Sequence, residues 1–554
     1  MSSRLVCSLG VALAALAVPL TSACNSAVPG CTNADEPGCG GTADTDDTTT
    51  DGATDPTTTD ATDATAGTDD GTTTGTGTGT DTDSDTDTDS ATDTETGVDD
   101  TFGPGPWDHG VEIPDEPQLP GDPEAGYEAL LTRGYVSCGV PYGMFQLAKG
   151  LLGAYTDGEP LPGRTGKNAQ VPFNWTVHSE TESGTEVAAL NCLTCHAGYF
   201  NGELVVGLGR ADGDFTDDMG ALVNAVPIPD LPLPGLSEMK KMQDRYAAIG
   251  PYIQMYTVGS NPADMIAVLL SSHRDQDTLH WSQEPLFPVP EAIAPVDVPP
   301  WWRAGKKHSL FHNGMARGDK RGTMMFASSL CTDTVAEAEK IMSYFNDINA
   351  YISSLAAPAY PFAIDAALAD AGEPVFVNNC AGCHGLYAED DADDWYPNLI
   401  LPLDIIATDA VEAEYAVNEA SKMVDWYNGS YYGTLTRLET DNPFPGYVAP
   451  PLDGIWATAP FFHNGSVPTI EAVLNSKARP TYWKRVDYNS ANFDEDSLGW
   501  PYVETQYGQD GAPADERKYI YDTTLFAHTN VGHPFGDHLT PEERRAVIEY
   551  LKTL

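Results

Sequence analysis

Positive charge is scarce in this chain. Lys and Arg number 28 against 82 Asp and Glu, a formal net charge of -54 over 554 residues. That balance argues against nucleic acid and against an anionic membrane surface as partners, since both select a basic face. It suits a basic or neutral partner, or a solvated acidic surface with none. Aromatic residues are almost missing from Cys24 to Asp100, where Thr, Asp and Gly dominate. Such a segment cannot bury enough apolar surface to offset its ordering entropy and should form a disordered, self-repelling tether. Twenty of the 82 acids lie there and Arg4 is the only base before Thr101, so the remainder still sets 62 acids against 27 bases. Long apolar runs are scarce too: Leu5 to Leu20 is apolar and Ala-rich but too short to span a bilayer. Strand signals are sparse and short, which points to a mainly helical fold with much loop. Cysteine is limited to ten residues.

Four of those ten stand in two pentapeptides. Cys192-Leu193-Thr194-Cys195-His196 and Cys380-Ala381-Gly382-Cys383-His384 both read C-x-x-C-H. Two thiols at this spacing can form thioethers to the two vinyl groups of one porphyrin, and the His that follows is carried under the iron. Zinc sites and redox dithiols also use C-x-x-C, but no second C-x-x-C or H-x-x-x-H stands at zinc-like spacing from either copy. The chain is therefore read as carrying two covalently bound haems c. Each motif is followed by the same two segments in the same order. The first half has Pro299-Pro300-Trp301-Trp302-Arg303-Ala304-Gly305 and then Leu310-Phe311-His312-Asn313-Gly314. The second half has Ala449-Pro450-Pro451-Leu452-Asp453-Gly454-Ile455-Trp456 and then Phe461-Phe462-His463-Asn464-Gly465. This order reads as one haem-binding unit, duplicated and diverged. Repetition assigns His312 and His463 a structural task, such as bonding a haem propionate or fixing a loop.

Arg4 and the apolar run form an export signal over residues 1–23, and Leu20-Thr21-Ser22-Ala23-Cys24 looks like a lipobox with Thr21 where Leu is usual. The expected location is periplasmic or cell-surface, outside the cytoplasm, with a lipid anchor on Cys24. Cys7 leaves with the signal, and Cys31 and Cys39 lie in the tether. The two remaining cysteines, Cys138 and Cys331, are expected to form a disulfide. Helices are expected at Tyr127–Leu131, Gln146–Tyr155, Leu236–Ile249, Pro262–Ser272 and Thr334–Leu355, the last with Ala336, Ile341, Tyr344, Ile348 and Ile352 on one face. Another should present Cys380. Gly198 to Gly213 reads as loop. A final helix is capped by Thr540, with Pro541 at its first position, Glu543 closing a capping box, and Val547, Ile548, Leu551 and Leu554 as its apolar stripe.

These residues resemble the di-haem cytochrome c peroxidase and MauG superfamily. The nearest likeness is to the branch of rubber-oxygenase-like di-haem c-type cytochromes. Pro450 to Val473, PPLDGIWATAPFFHNGSVPTIEAV, carries the most specific match, and Asn530-Val531-Gly532-His533-Pro534-Phe535-Gly536 resembles the segment before the last helix in that branch. The resemblance implies cytochrome c-like haem domains in tandem, at 106–360 and 361–554, behind a signal at 1–23 and a tether at 24–105. It implies that the C-terminal haem is held by His384 and His533, with His538 the competitor for the second position. The N-terminal haem keeps His196 and leaves its other face to peroxide or O2, lined by Trp301 and Trp302, with Phe311 and Phe326 as weaker candidates. Met315, Met324 and Met325 are read as core filler or as a thioether ligand that would close that face. Calcium between the domains rests on the resemblance alone. The implied activity is a haem-dependent oxidoreductase, peroxidase-like, fed by a small redox protein or another electron donor. The alternatives are a dioxygenase cleaving an apolar substrate and a pure electron-transfer cytochrome.

Overall fold

The computed structural model describes residues 104–554, apart from 149–157, 226–227, 229–233, 390–392 and 440–441. The expected signal, Cys24, nearly all of the tether and the end of the Gln146–Tyr155 helix lie outside the described residues. The described residues belong to a single compact unit.

The expectation of a mainly helical fold needs correction. Helix and 3-10 turn take 39% of the described residues, and strand takes 13%. Four three-stranded sheets and one hairpin are present, all antiparallel. The strands are short, two to four residues each, which is why they leave so little period-two signal. Ala197–Phe200 and Glu203–Val206 form a hairpin inside the stretch read as loop. Its two-residue turn is Asn201-Gly202, both at positive φ (47° and 78°), the backbone that Asn-Gly adopts most readily in a hairpin. That dipeptide was the overlooked signal.

Two sheets draw strands from both halves of the chain. Leu399–Pro402 is flanked by Gly446–Val448 and by Val111–Glu112, with Val111 opposite Ile400. Thr436–Leu438 pairs with Ala316–Gly318, which pairs with Ser309–Leu310.

The helices follow their caps. Thr334 accepts from Glu337 N and opens Val335–Ser353. The buried stripe of this helix is Ala338, Ile341, Phe345, Ile348 and Ile352; Ala336 faces solvent and Tyr344 is half-buried, donating to Glu180. Asp122 caps Pro123–Thr132, which packs on Val335–Ser353. Ala366–Asn379 leads into the second C-x-x-C-H and packs on Pro541–Leu551, whose capping box from Thr540 and Glu543 is formed as expected. Both helix pairs meet at a glycine. A Cβ on Gly126 would stand 1.9 Å from Asp347 O, and one on Gly372 would stand 2.0 Å from Ala546 O. Backbone meets backbone at each crossing, and no side chain fits between.

Gly372→Ala should therefore push the last helix off the one that presents Cys380. The expected cost is about 2–4 kcal/mol, at or above the usual cost of overpacking, because the obstructing atom is a main-chain carbonyl. Urea unfolding followed by circular dichroism would measure it, and Asp370→Ala on the same helix should stay within about 0.5 kcal/mol.

Candidate haem-binding cavity

Both C-x-x-C-H motifs fold so that the His returns over its first Cys. His196 N donates to Cys192 O at 3.1 Å, and His384 N donates to Cys380 O at 3.0 Å. Asn191 caps the first motif, accepting from Leu193 N, while its own amide donates to Phe173 O and Thr176 Oγ1. The four Cys and two His of the motifs line one cavity of about 910 Å³, together with His533, His312 and His463.

Among the described residues the four motif cysteines form no disulfide, so each is available for a thioether. Among the described residues, no group of three or more His, Cys, Asp or Glu side chains is placed to hold a metal ion.

The histidines fit an iron in a porphyrin. His384 Nδ1 is bound to Pro450 O at 2.8 Å, an arrangement that leaves Nε2 for a ligand. Its ring centre lies 6.3 Å from that of His533. Two metal–imidazole bonds of about 2.0–2.1 Å, each extended by roughly 1 Å from nitrogen to ring centre, separate trans ligands by about 6 Å. His312 and His463 also stand 6.3 Å apart, so spacing alone does not mark ligation. The distinction is that His384 follows two thiols, whereas His312 Nε2 is already engaged by Asp297 O at 3.0 Å. His538 is exposed and bonded to Asn379 Oδ1. Burial holds both imidazoles neutral, with His533 lowered to about 3.

At the other motif, burial lowers His196 to about 4. The Pro299 carbonyl lies beside it and favours the proton, yet Nδ1 has no partner of hydrogen-bond geometry. Trp301 stacks on the His196 ring, centres 5.0 Å apart and planes 24° apart, so it lies beside this His rather than opposite it. Trp302 donates from Nε1 to Asp453 O at 2.8 Å, spanning from one half to the other. Phe311, Met324 and Phe326 line the cavity; Met315 and Met325 are buried elsewhere. Cys138 and Cys331 are joined, and Cys138 reaches the cavity wall.

The repeated aromatic-His-Asn-Gly segments adopt the same turn. Phe311 and Phe462 have φ of 67° and 71°, Gly314 and Gly465 have φ of 66° and 69°. Asn313 Oδ1 accepts from Met315 N and Asn464 Oδ1 from Ser466 N. The two turns then exchange partners: Val448 N donates to His312 O at 2.8 Å, and Asp297 N donates to His463 O at 2.5 Å. Val448 and Asp297 each stand two residues before their Pro-Pro pair.

Three features escaped the sequence reading. Arg303 and Lys307 line the cavity, buried, and Arg303 Nη2 has no partner. Burial and the neighbouring Arg303 and Lys320 hold the Lys307 ammonium down at about 8. Such groups demand an anion. Haem propionates supply one, and Arg303, Lys306 and Lys307 form a cluster of bases that is conspicuous in so acidic a chain. Arg479 is the second feature. It donates to the carbonyls of Ala472, Val473, Asn530, Gly532 and His533, and stacks over Phe462. His533 itself sits at φ 46°. No local signal marks Arg479. The third is a pair of carboxylates on the cavity wall, Glu412 buried and Asp264 half-buried.

Comparison with known proteins agrees with this geometry. A model of the family RoxA-like, cytochrome c-like matches residues 446–484. The match ties this part of the chain to haem c cytochromes and covers His463 and Arg479. Uncharacterized protein y4iJ of Sinorhizobium fredii (strain NBRC 101917 / NGR234) is 30% identical over 293 residues, covering 42% of this chain and 47% of that protein. Uncharacterized protein y4iM of the same organism is 27% identical over 301 residues, covering 48% of this chain and 66% of that protein. The chain thus spans about half the length of the first of these relatives and just under two thirds of the second.

Arg479→Ala would strip the His533 loop of its shared donor. The expected loss is about 2–4 kcal/mol in urea unfolding, since several carbonyls lose a charged partner. Arg479→Lys should recover less than half of it, because an ammonium cannot span the same carbonyls.

Proposed function

We propose that this chain is an exported di-haem c-type oxidoreductase of the di-haem peroxidase superfamily. One haem is held by Cys192, Cys195 and His196, the other by Cys380, Cys383, His384 and His533. The observation that carries the reading is an asymmetry. His384 faces a second imidazole at the spacing of a ligand pair, while the ring packed on His196 is the indole of Trp301. An iron with two strong axial ligands passes electrons, and an iron with one keeps a position for peroxide or O2. The His196 side is accordingly assigned to peroxide or O2, and the His384–His533 side to electron relay. Trp302, tied to Asp453 across the halves, is assigned to the route between them; Trp301 orients His196. Arg303 and Lys307 neutralise propionates. The remaining parts of the proposal are the domain division at 106–360 and 361–554, export through residues 1–23, a lipid anchor at Cys24, and a small redox protein or other donor as reductant.

A second reading has one observation in its favour. The matched family is RoxA-like, and the wall near His196 is apolar through Phe311, Met324 and Phe326. Both suit a dioxygenase acting on an apolar substrate.

Pyridine haemochrome analysis should give two haems per chain, and Cys192→Ala with Cys195→Ala should leave one. Low-temperature EPR of the ferric protein should show one high-spin and one low-spin centre, and His533→Ala should abolish the low-spin signal. Two low-spin centres that persist on half-reduction would overturn the enzyme reading and leave a pure electron-transfer cytochrome. Peroxide turnover without uptake of O2 by an apolar substrate would select the peroxidase over the dioxygenase.

A further inference from the structure

Six carboxylates line the cavity wall, Asp212, Asp214, Asp217, Asp264, Asp297 and Glu412, and two of them, Asp264 and Glu412, act on each other electrostatically. Asp264 stands in the first turn of the Ala263–Ser272 helix and lines the cavity. Three residues before it, Asn261 donates to Cys195 Sγ at 3.5 Å, which sets this helix start against the first haem motif. Glu412 stands in the first turn of Val411–Asn418, is 5% exposed, and lines the same cavity. Asn313 Nδ2 donates to Glu412 Oε1 at 3.1 Å and fixes the carboxyl group, while Oε2 is buried without a partner.

The groups facing the pair come from the helix of Glu412 itself and from three other places. Lys307 follows the Trp301–Arg303 turn, Asp409 precedes the Val411–Asn418 helix, Tyr415 lies on it, and Tyr447 lies on the Gly446–Val448 strand. Asp409 is occupied, accepting from Val411 N and from Thr529 N and Oγ1. Tyr447 donates its hydroxyl to Asp409 O. Lys307 therefore supplies positive charge against two carboxyl groups on the same wall, Glu412 buried and Asp264 half-buried. Two such groups retain a proton between them. Burial raises Asp264 to about 6, and burial with the Asp264 charge raises Glu412 further.

We propose that Asp264 and Glu412 form a proton-accepting site that takes up one proton from solvent as one electron enters the cavity. The proposal rests on the di-haem reading above. In the balanced step a one-electron donor is oxidised, a ferric iron becomes ferrous, and one proton from water binds the carboxylate pair. Reoxidation releases it. The added electron raises the proton affinity of nearby buried carboxylates, because charges interact strongly away from water. The reduced form thus binds more protons than the oxidised form. The midpoint potential falls as pH rises through the window between the pair's oxidised and reduced titrations, which opens near pH 6.

The test is a mediator-based potentiometric titration of the purified holoprotein, followed in the visible haem bands from about pH 5 to pH 8. One proton per electron corresponds to 59 mV per pH unit. The wild type should approach that slope for one haem above about pH 6. Glu412→Gln keeps an acceptor for Asn313 and should halve the slope or flatten it, and Asp264→Asn should do the same. Slopes in both variants equal to wild type would overturn the proposal and assign the coupling to propionates. Redox-difference infrared spectra of the wild type supply a readout that needs no variant: a protonated carboxyl band should grow on reduction, and its absence overturns the proposal. A chain without covalent haem in the haemochrome assay would remove the di-haem reading and this inference together, whereas two haems with pH-independent potentials would remove this inference alone.

Discussion

Everything near the cavity depends on an exchange of two backbone hydrogen bonds. The carbonyl of His312 is held by Val448 N, and the carbonyl of His463 is held by Asp297 N. Each bond joins a turn from one half to the Pro-Pro segment of the other. The proline carbonyls that follow, Pro299 and Pro450, are the ones that face His196 and His384. A shift of either turn would therefore carry through two residues, Ala449-Pro450 or Val298-Pro299, to the opposite histidine. The positive φ of Phe311 and Phe462 belongs to the same device. A left-handed residue in each turn aims the next carbonyl outward, and the buried Asn that follows it locks the turn by accepting a backbone amide. Two shared sheets continue the interlock, so the halves cannot be pulled apart without unpairing strands.

Much of the site was legible because covalent chemistry writes itself into spacing. C-x-x-C-H, Pro-Pro and aromatic-His-Asn-Gly are local, and their repeated order announced the duplication that the reciprocal bonds now explain. The Thr540–Glu543 capping box was readable for the same reason, since a cap is decided within four residues. Failures came where the deciding partner is far away. Ala336 and Tyr344 satisfied a helical period yet were not on the buried face, because Gly126 of a distant helix sets which side is covered. The short strands were invisible to periodicity, and the hairpin at Asn201-Gly202 was missed although its turn was local. Arg479 could not have been found: it reaches backbone carbonyls up to 54 residues away, and no motif encodes that.

The placement of charge completes the picture. The bases of the cavity region are used in two ways: Arg210 pairs with Asp212 and Lys306 with Asp394 and Asp453, whereas others donate to main-chain carbonyls. Arg303 gives Nε to the carbonyl of Asp453, Lys320 gives Nζ to the carbonyl of Ala304, and Arg479 gives its donors to five carbonyls. Their positive charge remains uncompensated by protein carboxylates at those contacts, inside a chain that has acids in surplus. Burial of such cations is costly unless an anion joins them. Arg303 and Lys307 thus form a small basic pocket in a cavity whose wall also carries Asp212, Asp214, Asp217, Asp264, Asp297 and Glu412, and that pocket would suit the carboxylate edge of a porphyrin. If Asp264 and Glu412 hold a proton between them, the cavity can change by one charge without a change in fold. The scarcity of basic residues that opens the sequence is therefore a matter of where they went: among the few bases this chain has, several are committed to the inside.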